Sequence, residues 1–240
     1  MDCAVNQIGT LDLSKNQKLQ FLQALTNPFT MVEKERTIVG RTYKNEKWRT
    51  AMEVVVMRHG ERDYQPCYDR GFIGQGLELA PLTETGERQA EEAAKNPLID
   101  GCSLIVSSPY TRCLQTAAIV SRIRNVPLKV EVDLHEWIPD LSFQNKAGEG
   151  KAYGKEFALY EGKYPEGETC RWETIEMMEK RLTGVLNKYM EYDKILIVTH
   201  GMFMHQIKPY GHIPNCFVDS FTYDEHFQCA GYHKKSEKGT

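Results

Sequence analysis

The sequence contains no run of about 18 apolar residues, so it offers no segment that could span a bilayer. Its first residues, MDCAVNQIGTLDL, lack both the basic region and the apolar core of a signal peptide. It also lacks a strong excess of charge, because 30 Lys and Arg residues against 33 Asp and Glu residues give a formal net charge of −3. We therefore expect neither a membrane nor a nucleic acid as a partner.

Cysteine is present, but not in a pattern that predicts cross-links. The seven cysteines are odd in number and are spread along the chain without tight spacing. Such a distribution is typical of reduced thiols in a cytosolic protein rather than of a disulfide framework. We therefore expect a cytoplasmic enzyme or binding domain.

The length and composition suit one large domain, or one domain with an appendage, since 41% of the 240 residues are apolar. Residues 1–50 are polar and show only a modest helical pattern, in NQKLQFLQALTN. They are predicted to form a helical or extended arm packed on the main domain. Residues 51–233 would form that domain, and residues 234–240 would form a polar tail.

Short apolar runs alternate with amphipathic segments through the body of the chain. Ser108 and Pro109 are expected to start one of the helices, as its N-cap and first residue. The Gly-rich stretch 138–171 is expected to form a lid or a specificity insertion. Strands separated by helices predict an α/β protein with a largely parallel sheet. The predicted strands are 52–57, 102–107, 128–133, 194–199 and 217–223, and the predicted helices are 83–95, 108–124 and 174–192.

Polar residues follow four of the predicted strands at the point where each strand ends. Because the carboxyl ends of parallel strands meet at one edge of a sheet, these residues are expected to converge there. They are Arg58, His59 and Gly60; Ser107, Ser108 and Arg112; His135 and Glu136; and Thr199, His200 and Gly201.

Two histidines, two arginines and a carboxylate at one edge suit phosphoryl transfer. The guanidinium fork pairs with two phosphate oxygens at once and stabilises the charge of the transferring group. A neutral imidazole is a competent nucleophile near neutral pH, and a carboxylic acid can protonate the leaving oxygen. A glycine after each histidine lets the backbone approach a ligand and turn N–H groups towards an anion.

Five short motifs strengthen this interpretation: RHGE at 58–61, LTETGERQA at 82–90, SSPYTRCLQTA at 107–117, LHEW at 134–137 and THG at 199–201. Together and in this order they resemble the histidine phosphatase superfamily, the fold family of cofactor-dependent phosphoglycerate mutase. The resemblance implies a three-layer α/β/α sandwich with a mostly parallel, mixed sheet in which one edge strand runs antiparallel. It implies no metal, and we expect no cofactor.

The resemblance also implies roles for the residues at the strand ends. His59 resembles the phosphorylated nucleophile, and Arg58 and Arg112 resemble the residues that clamp the phosphate. His200 resembles the second pocket histidine, which stabilises the transferring group. Gly201 is expected to help bind the phosphate through its backbone.

The proton donor is expected to be Glu136, because many members of the family carry that acid in an L-x-E stretch after this strand. His135 is its neighbour, and strand-like alternation would point only one of the two side chains inward. Glu61 is expected to orient an arginine or a histidine rather than to react. Gly86 and Gln89 are expected to shape the turn and helix around them.

The C-terminal part also contains scattered histidines and cysteines that could suggest zinc, but their spacing matches no common site. His205 follows His200 by about a turn and a third, and it is expected either to reach the pocket or to pack on the sheet. The scattered residues are His205, His212, Cys216, His226, Cys229 and His233.

Other routes of phosphate chemistry are absent from the sequence. It has no Cys-x5-Arg loop, no Asp-x-Asp pair and no Gly-x4-Gly-Lys-Ser/Thr loop. Mutases of the family usually continue RHGE with Ser or Thr, where Arg62 stands here, and this difference favours hydrolysis of a phosphometabolite or phosphopeptide. The alternatives are a mutase-like phosphotransferase and a catalytically silent phospho-ligand-binding protein. Whether the chain forms a homodimer is left open.

Overall fold

A computed structural model of the chain describes residues 50–144 and 149–232. The arm predicted over residues 1–50 lies outside the described residues except for Thr50, and so does the polar tail predicted over 234–240. No helix in the described part of the chain is long and apolar enough to cross a membrane.

Five strands form one sheet in the order β3-β2-β4-β1-β5. Strands β1 to β4 run parallel to one another, whereas β5 pairs antiparallel with β1 at the edge of the sheet. The predicted mostly parallel, mixed sheet with an antiparallel edge strand is therefore confirmed. The strands are β1 (Ala51–Arg58), β2 (Leu104–Ser107), β3 (Leu128–Val130), β4 (Lys194–Thr199) and β5 (Val218–Asp224).

Six α-helices and three short 3₁₀ segments connect the strands in the described part of the chain. Thr83 and Thr174 cap α2 and α5, since their hydroxyls accept hydrogen bonds from the N–H groups of Gly86 and Met177. The helices are α1 (Gln65–Tyr68), α2 (Glu84–Ala93), α3 (Thr111–Arg124), α4 (Glu149–Leu159), α5 (Ile175–Lys188) and α6 (Gly201–Met204), and the 3₁₀ segments are Gly74–Leu79, Pro97–Ile99 and Val132–Leu134.

Several predicted elements differ from the structure. The helix predicted over 174–192 ends at Lys188, and the strand predicted over 102–107 begins at Leu104. The helix predicted to start at Ser108 begins at Thr111, because the Ser108 hydroxyl bonds to His200 and Tyr110 takes the extended N-cap position. The third strand ends at Val130 rather than at residue 133, since the chain then turns into the 3₁₀ segment Val132–Leu134. The stretch 138–171, which showed no regular pattern, contains helix α4.

Both faces of the sheet are covered. On one face, Val55 and Met57 of β1 pack in a buried cluster with Ala117 and Val120 of α3. Successive strand residues point to opposite faces, so Val54 and Val56, which are also fully buried, belong to the other face.

Helix α5 covers that second face. Tyr223 of β5 pairs with Met52 of β1, whose side chain points to the same face of the sheet as that of Val54. The Tyr223 hydroxyl donates a hydrogen bond to Asn187 of α5 at 2.6 Å. The sheet therefore lies between two helical layers, as the three-layer prediction requires.

The strand register aligns the ends of three neighbouring strands. Arg58, the last residue of β1, lies opposite Thr199, the last residue of β4. Ser107, the last residue of β2, lies opposite Val198. The residues that follow these strands, His59, Ser108 and His200, therefore emerge side by side.

The turn after β1 is in direct backbone contact with the start of α2. A Cβ atom on Gly86 would lie 2.1 Å from the Glu61 carbonyl oxygen, and a Cβ atom on Gly60 would lie 2.5 Å from the Gly86 carbonyl oxygen. Both distances are shorter than any real contact, and backbone atoms cannot move aside as a flexible side chain can. Both positions therefore require glycine.

The residues between these two glycines form a loop that is closed at its base. Arg62 and Leu82 form an isolated antiparallel bridge, and the Asp63 N–H donates to the Pro81 carbonyl at 2.8 Å. The Leu82 N–H also donates to the Gln115 side chain of α3 at 2.7 Å. We refer to residues 63–81 as the 63–81 loop.

We predict that Gly86→Ala lowers the free energy of unfolding by at least about 2 kcal/mol, because the added methyl overlaps the Glu61 backbone. The matched control is Gly184→Ala in α5, where an added Cβ meets no atom within 4 Å. That change should be neutral or should stabilise the protein by about 0.5–1 kcal/mol, since alanine is the better helix former. Urea unfolding of both variants measures the difference, and equal stabilities would contradict the backbone contact.

Candidate active site

His59 is almost fully buried at the end of β1, with 1% of its surface exposed. Its Nδ1 lies 2.7 Å from the Gly60 carbonyl oxygen, which can only accept, so Nδ1 carries the proton and Nε2 keeps a free lone pair. Burial holds the pKa of His59 well below its ordinary value, and the positive charges of Arg112, Arg58 and Arg62 lower it further. His59 is thus a neutral imidazole with one ring nitrogen available for attack.

Three guanidinium groups surround this imidazole. Arg112, in the first turn of α3, is 3% exposed, and Arg58 and Arg62 are half-buried. The Nε atoms of all three are buried and have no hydrogen-bond partner among the described residues. Buried donors of this kind normally find an acceptor, so the cluster is suited to bind an anion.

The arginines also affect each other. Burial lowers the pKa of Arg58, and the neighbouring charges of Arg62 and Arg112 add to this effect, while Glu136 opposes it. One N–H of Arg58 donates to the Ile213 carbonyl, which fixes its orientation. Gly201 lies beside it, since a Cβ atom there would be 3.7 Å from Arg58 Nε.

His200 is fully buried at the end of β4, and both of its ring nitrogens are engaged. Arg112 can only donate, so the 3.0 Å contact from its terminal nitrogen makes His200 Nδ1 an acceptor. His200 Nε2 then carries the proton and donates to the Ser108 hydroxyl at 2.7 Å. Burial and the charge of Arg112 hold the pKa of His200 well below its ordinary value. In this structure, a neutral His200 therefore positions Arg112, and its ring centre lies 5.3 Å from that of His59.

Glu136 lies between these groups and helix α6. Its carboxylate accepts hydrogen bonds from the N–H groups of Met202 and Phe203, at 3.3 and 3.2 Å, and from that of Trp137 at 3.0 Å. A carboxylate at a helix N-terminus is stabilised by exposed N–H groups of this kind. The neighbouring His135 points its ring towards Tyr110 instead, with the ring centres 6.3 Å apart.

A buried ion pair supports the segment that carries Glu136. Arg181 of α5 bonds both carboxylate oxygens of Glu173, at 2.5 and 3.0 Å, and donates to the carbonyls of Asp133 and His135, at 2.6 and 2.8 Å. Glu173 in turn accepts from the Ile138 N–H at 3.1 Å. These bonds hold both ends of the 133–138 segment against α5.

The sequence prediction missed two charged residues of the site. Glu78, on the 63–81 loop, forms an ion pair with Arg112. Burial raises the pKa of Glu78, although Arg112 opposes that shift. Arg62 was treated only as a departure from the mutase motif, yet it belongs to the guanidinium cluster. Its place in the RHGER motif, close to Arg58 and His59, was a usable signal, whereas no sequence pattern marks Glu78.

The remaining predicted residues divide into those at the site and those that support it. Glu61 accepts from the Thr83 hydroxyl at 2.7 Å, so it was wrong to expect it to orient an arginine or histidine. Gln89 accepts from the Glu61 N–H at 2.9 Å, which agrees with the expected shaping role. His205 is buried and packs against the Tyr210 ring. Across residues 50–144 and 149–232, no group of three or more His, Cys, Asp or Glu side chains is arranged to hold a metal ion.

Comparison with known proteins gives one family. A model described as the histidine phosphatase superfamily (branch 1) matches residues 54–224. The chain is 32% identical over 160 residues to "Uncharacterized phosphatase PhoE" of Bacillus subtilis, which covers 64% of this chain and 74% of that protein. It is 27% identical over 158 residues to "Probable phosphoglycerate mutase GpmB" of Proteus mirabilis, which covers 63% and 70%.

A solved structure, Bacillus stearothermophilus YhfR, shares the fold with a TM-score of 0.55 at 20% identity, over 75% of this chain and 95% of that one. This likeness confirms the predicted fold, and the family model confirms the family that the sequence motifs indicated. The match spans the sheet, both histidines and the arginine cluster, and so the chain belongs to the histidine phosphatase superfamily.

Proposed function

We propose that the chain hydrolyses phosphomonoesters through a phosphohistidine formed on His59. The observation that carries this proposal is a neutral imidazole with a free Nε2, set among three guanidinium groups whose Nε atoms have no partner among the described residues. Nucleophile and anion site are thus adjacent. The chain's membership of a family that contains named phosphatases supports the same reaction.

In the first step, the lone pair of His59 Nε2 attacks phosphorus, and the bond from phosphorus to the leaving oxygen breaks. Arg58, Arg62 and Arg112 hold the phosphoryl oxygens and stabilise their charge. His200 keeps Arg112 in place through the 3.0 Å bond. The leaving oxygen takes a proton from Glu136.

In the second step, water attacks phosphorus and Glu136 takes a proton from it. The P–N bond breaks, and its electron pair returns to His59 Nε2. The products are the alcohol and inorganic phosphate. The proton left on Glu136 is the one donated to the leaving oxygen in the next cycle, so the two steps balance.

Hydrolysis is favoured over the mutase alternative by the residues around the nucleophile. Arg62 stands where the mutases have a small hydroxyl residue, and Glu78 places a carboxylate against Arg112. A bisphosphorylated substrate would bring more negative charge to this carboxylate. A silent ligand-binding protein is disfavoured because the free Nε2 serves nucleophilic attack rather than anion binding.

Further parts of the proposal concern the surroundings of the site. The insertion 138–171 contacts the leaving alcohol and contributes to its recognition. It lies close to the site, because the Trp137 ring next to Glu136 packs on Phe157 of α4 with ring centres 5.1 Å apart. The substrate is a phosphometabolite or a phosphopeptide, and the enzyme acts in the cytoplasm.

We predict that the wild-type protein hydrolyses a generic aryl phosphate and that His59→Ala loses at least about 10³-fold in rate, since no other group replaces the nucleophile. Release of inorganic phosphate measures the rate of hydrolysis, and acid-labile phosphate labelling of the protein detects the phosphohistidine. A bisphosphorylated primer should not stimulate hydrolysis. Turnover by His59→Ala equal to that of the wild type would contradict the nucleophile, and dependence on the primer would favour the mutase.

We predict that Glu136→Gln loses about 10²–10⁴-fold in kcat/KM on alkyl phosphates, whose leaving groups need a proton, but much less on 4-nitrophenyl phosphate. The comparison of the two substrate classes in one preparation is the measurement. The amide can still accept from the α6 N–H groups, so the helix cap is largely retained. Equal losses on both classes would argue against Glu136 as the proton donor.

We predict that the ring nitrogens of His59 and His200 remain in their neutral form at pH 6.5, the ordinary histidine pKa, because burial and Arg112 lower both pKa values. Nitrogen-15 NMR of the ligand-free protein reports the protonation state, and the urea-unfolded chain is the control. Since the unfolded chain binds protons that the folded one excludes, stability is lost as pH falls below 6.5. Titration midpoints near 6.5 in the folded protein would refute the assigned electrostatics.

A further inference from the structure

The carboxylate of Glu78 lies in the mouth of the phosphate site without any assigned role. Its ion pair with Arg112 joins a residue that is a quarter exposed to one that is 3% exposed, so Glu78 is the outer partner. It therefore lies on the side of Arg112 that faces solvent, from which a substrate must enter. Because Glu78 lies between Arg112 and the solvent, it is expected to lie next to the leaving group of a bound phosphomonoester.

The loop that carries Glu78 is held over the site by a second contact. The Gln75 amide donates to the Tyr110 hydroxyl, and the Tyr110 ring lies 5.2 Å from that of His200 and 5.2 Å from the Arg112 guanidinium. The 3₁₀ segment Gly74–Leu79 is thus attached at two points to the residues around the phosphate site. Glu78 is held there by its segment as well as by its own ion pair.

Four titratable groups near Glu78 determine the charge around it. Arg112 and Arg62 are the cations, Glu136 is a second carboxylate, and the Tyr110 hydroxyl is the neutral neighbour. With Arg58, the site holds three guanidinium groups and two carboxyl groups. Glu136 is protonated when it acts as the proton donor, so the Glu78 carboxylate then offsets one of the three positive charges. The dianion of one phosphomonoester balances the two that remain, and no positive charge is left for a second anionic group.

We infer that Glu78 makes the site select phosphomonoesters whose leaving group carries no second anionic charge. This inference rests on the proposed phosphate site. A carboxylate or second phosphate on the leaving group would lie near the Glu78 carboxylate at a half-buried position, where like charges a few ångströms apart cost about tenfold or more in affinity. An uncharged leaving group meets no such repulsion. Glu78 is thus a specificity-determining residue.

The flanking residues of the segment agree with this substrate class. Ile73 and Leu79 are 55% and 58% exposed on either side of Glu78 in the chain. They offer no charge that could offset a second anionic group. The leaving alcohol is therefore expected to be neutral.

The test compares two esters that differ by one charge: 3-carbamoylphenyl phosphate and 3-carboxyphenyl phosphate. Their dissociation constants are measured by calorimetry with His59→Ala and with His59→Ala/Glu78→Gln, so binding is read without turnover. We expect the first variant to prefer the carbamoyl ester at least tenfold, and Glu78→Gln to reduce this preference about tenfold. Because the preference is a ratio within one preparation, a fraction of unfolded protein cancels.

The matched control is Glu84→Gln, which removes the same charge from an exposed position on α2, where Glu84 pairs with the exposed Arg88. It should leave the preference unchanged. An unchanged preference in the Glu78 variant, equal weakening of both esters, or binding of neither ester would each overturn the inference. Failure of the proposed function appears separately, as an absence of hydrolysis of the same esters by the wild-type protein.

Discussion

Three guanidinium groups in one partly buried space are the constraint on which the rest of this structure depends. Burial and the repulsion of the neighbouring arginines lower the pKa of Arg58, and such a cluster is stable only if other groups share its charge. The protein supplies the carboxylates of Glu78 and Glu136 and leaves the two histidines neutral. Burial lowers the pKa of His59, and the charge of the arginines lowers it further, so the groups suited to bind an anion also help to keep the nucleophile unprotonated.

The sheet and its turns hold this cluster in place. The parallel register of β1 and β4 sets Arg58 beside Thr199, and therefore sets His59 beside His200. The backbone contact between Gly60 and Gly86 fixes the turn after β1 against α2. On the other side, the ion pair of Arg181 and Glu173 holds the segment that carries Glu136. Regular structure therefore sets the backbone positions of the site residues, and hydrogen bonds of their side chains orient them.

The sequence could predict the strands, the layers and most of the site, because apolar runs and residues at strand ends are local features of the chain. It could not predict the start of α3, because Ser108 bonds to His200, a residue far away in the sequence. It could not predict the pairing of Glu78 with Arg112 for the same reason, since the 63–81 loop carries no motif. The expected role of Glu61 was wrong because its carboxylate bonds to Thr83, which lies 22 residues away in the sequence. Local patterns thus located the reacting groups, and long-range contacts decided what surrounds them.

The closed base of the 63–81 loop makes it a separable module. Its two ends are joined by the bridge between Arg62 and Leu82, and α3 holds the second end through Gln115. Loop length adds little to the entropy of closing a loop whose ends are already fixed, so this segment can be exchanged for one of another length without moving His59. A scaffold of this kind can acquire a new substrate by grafting one loop, and Glu78 would be exchanged along with it.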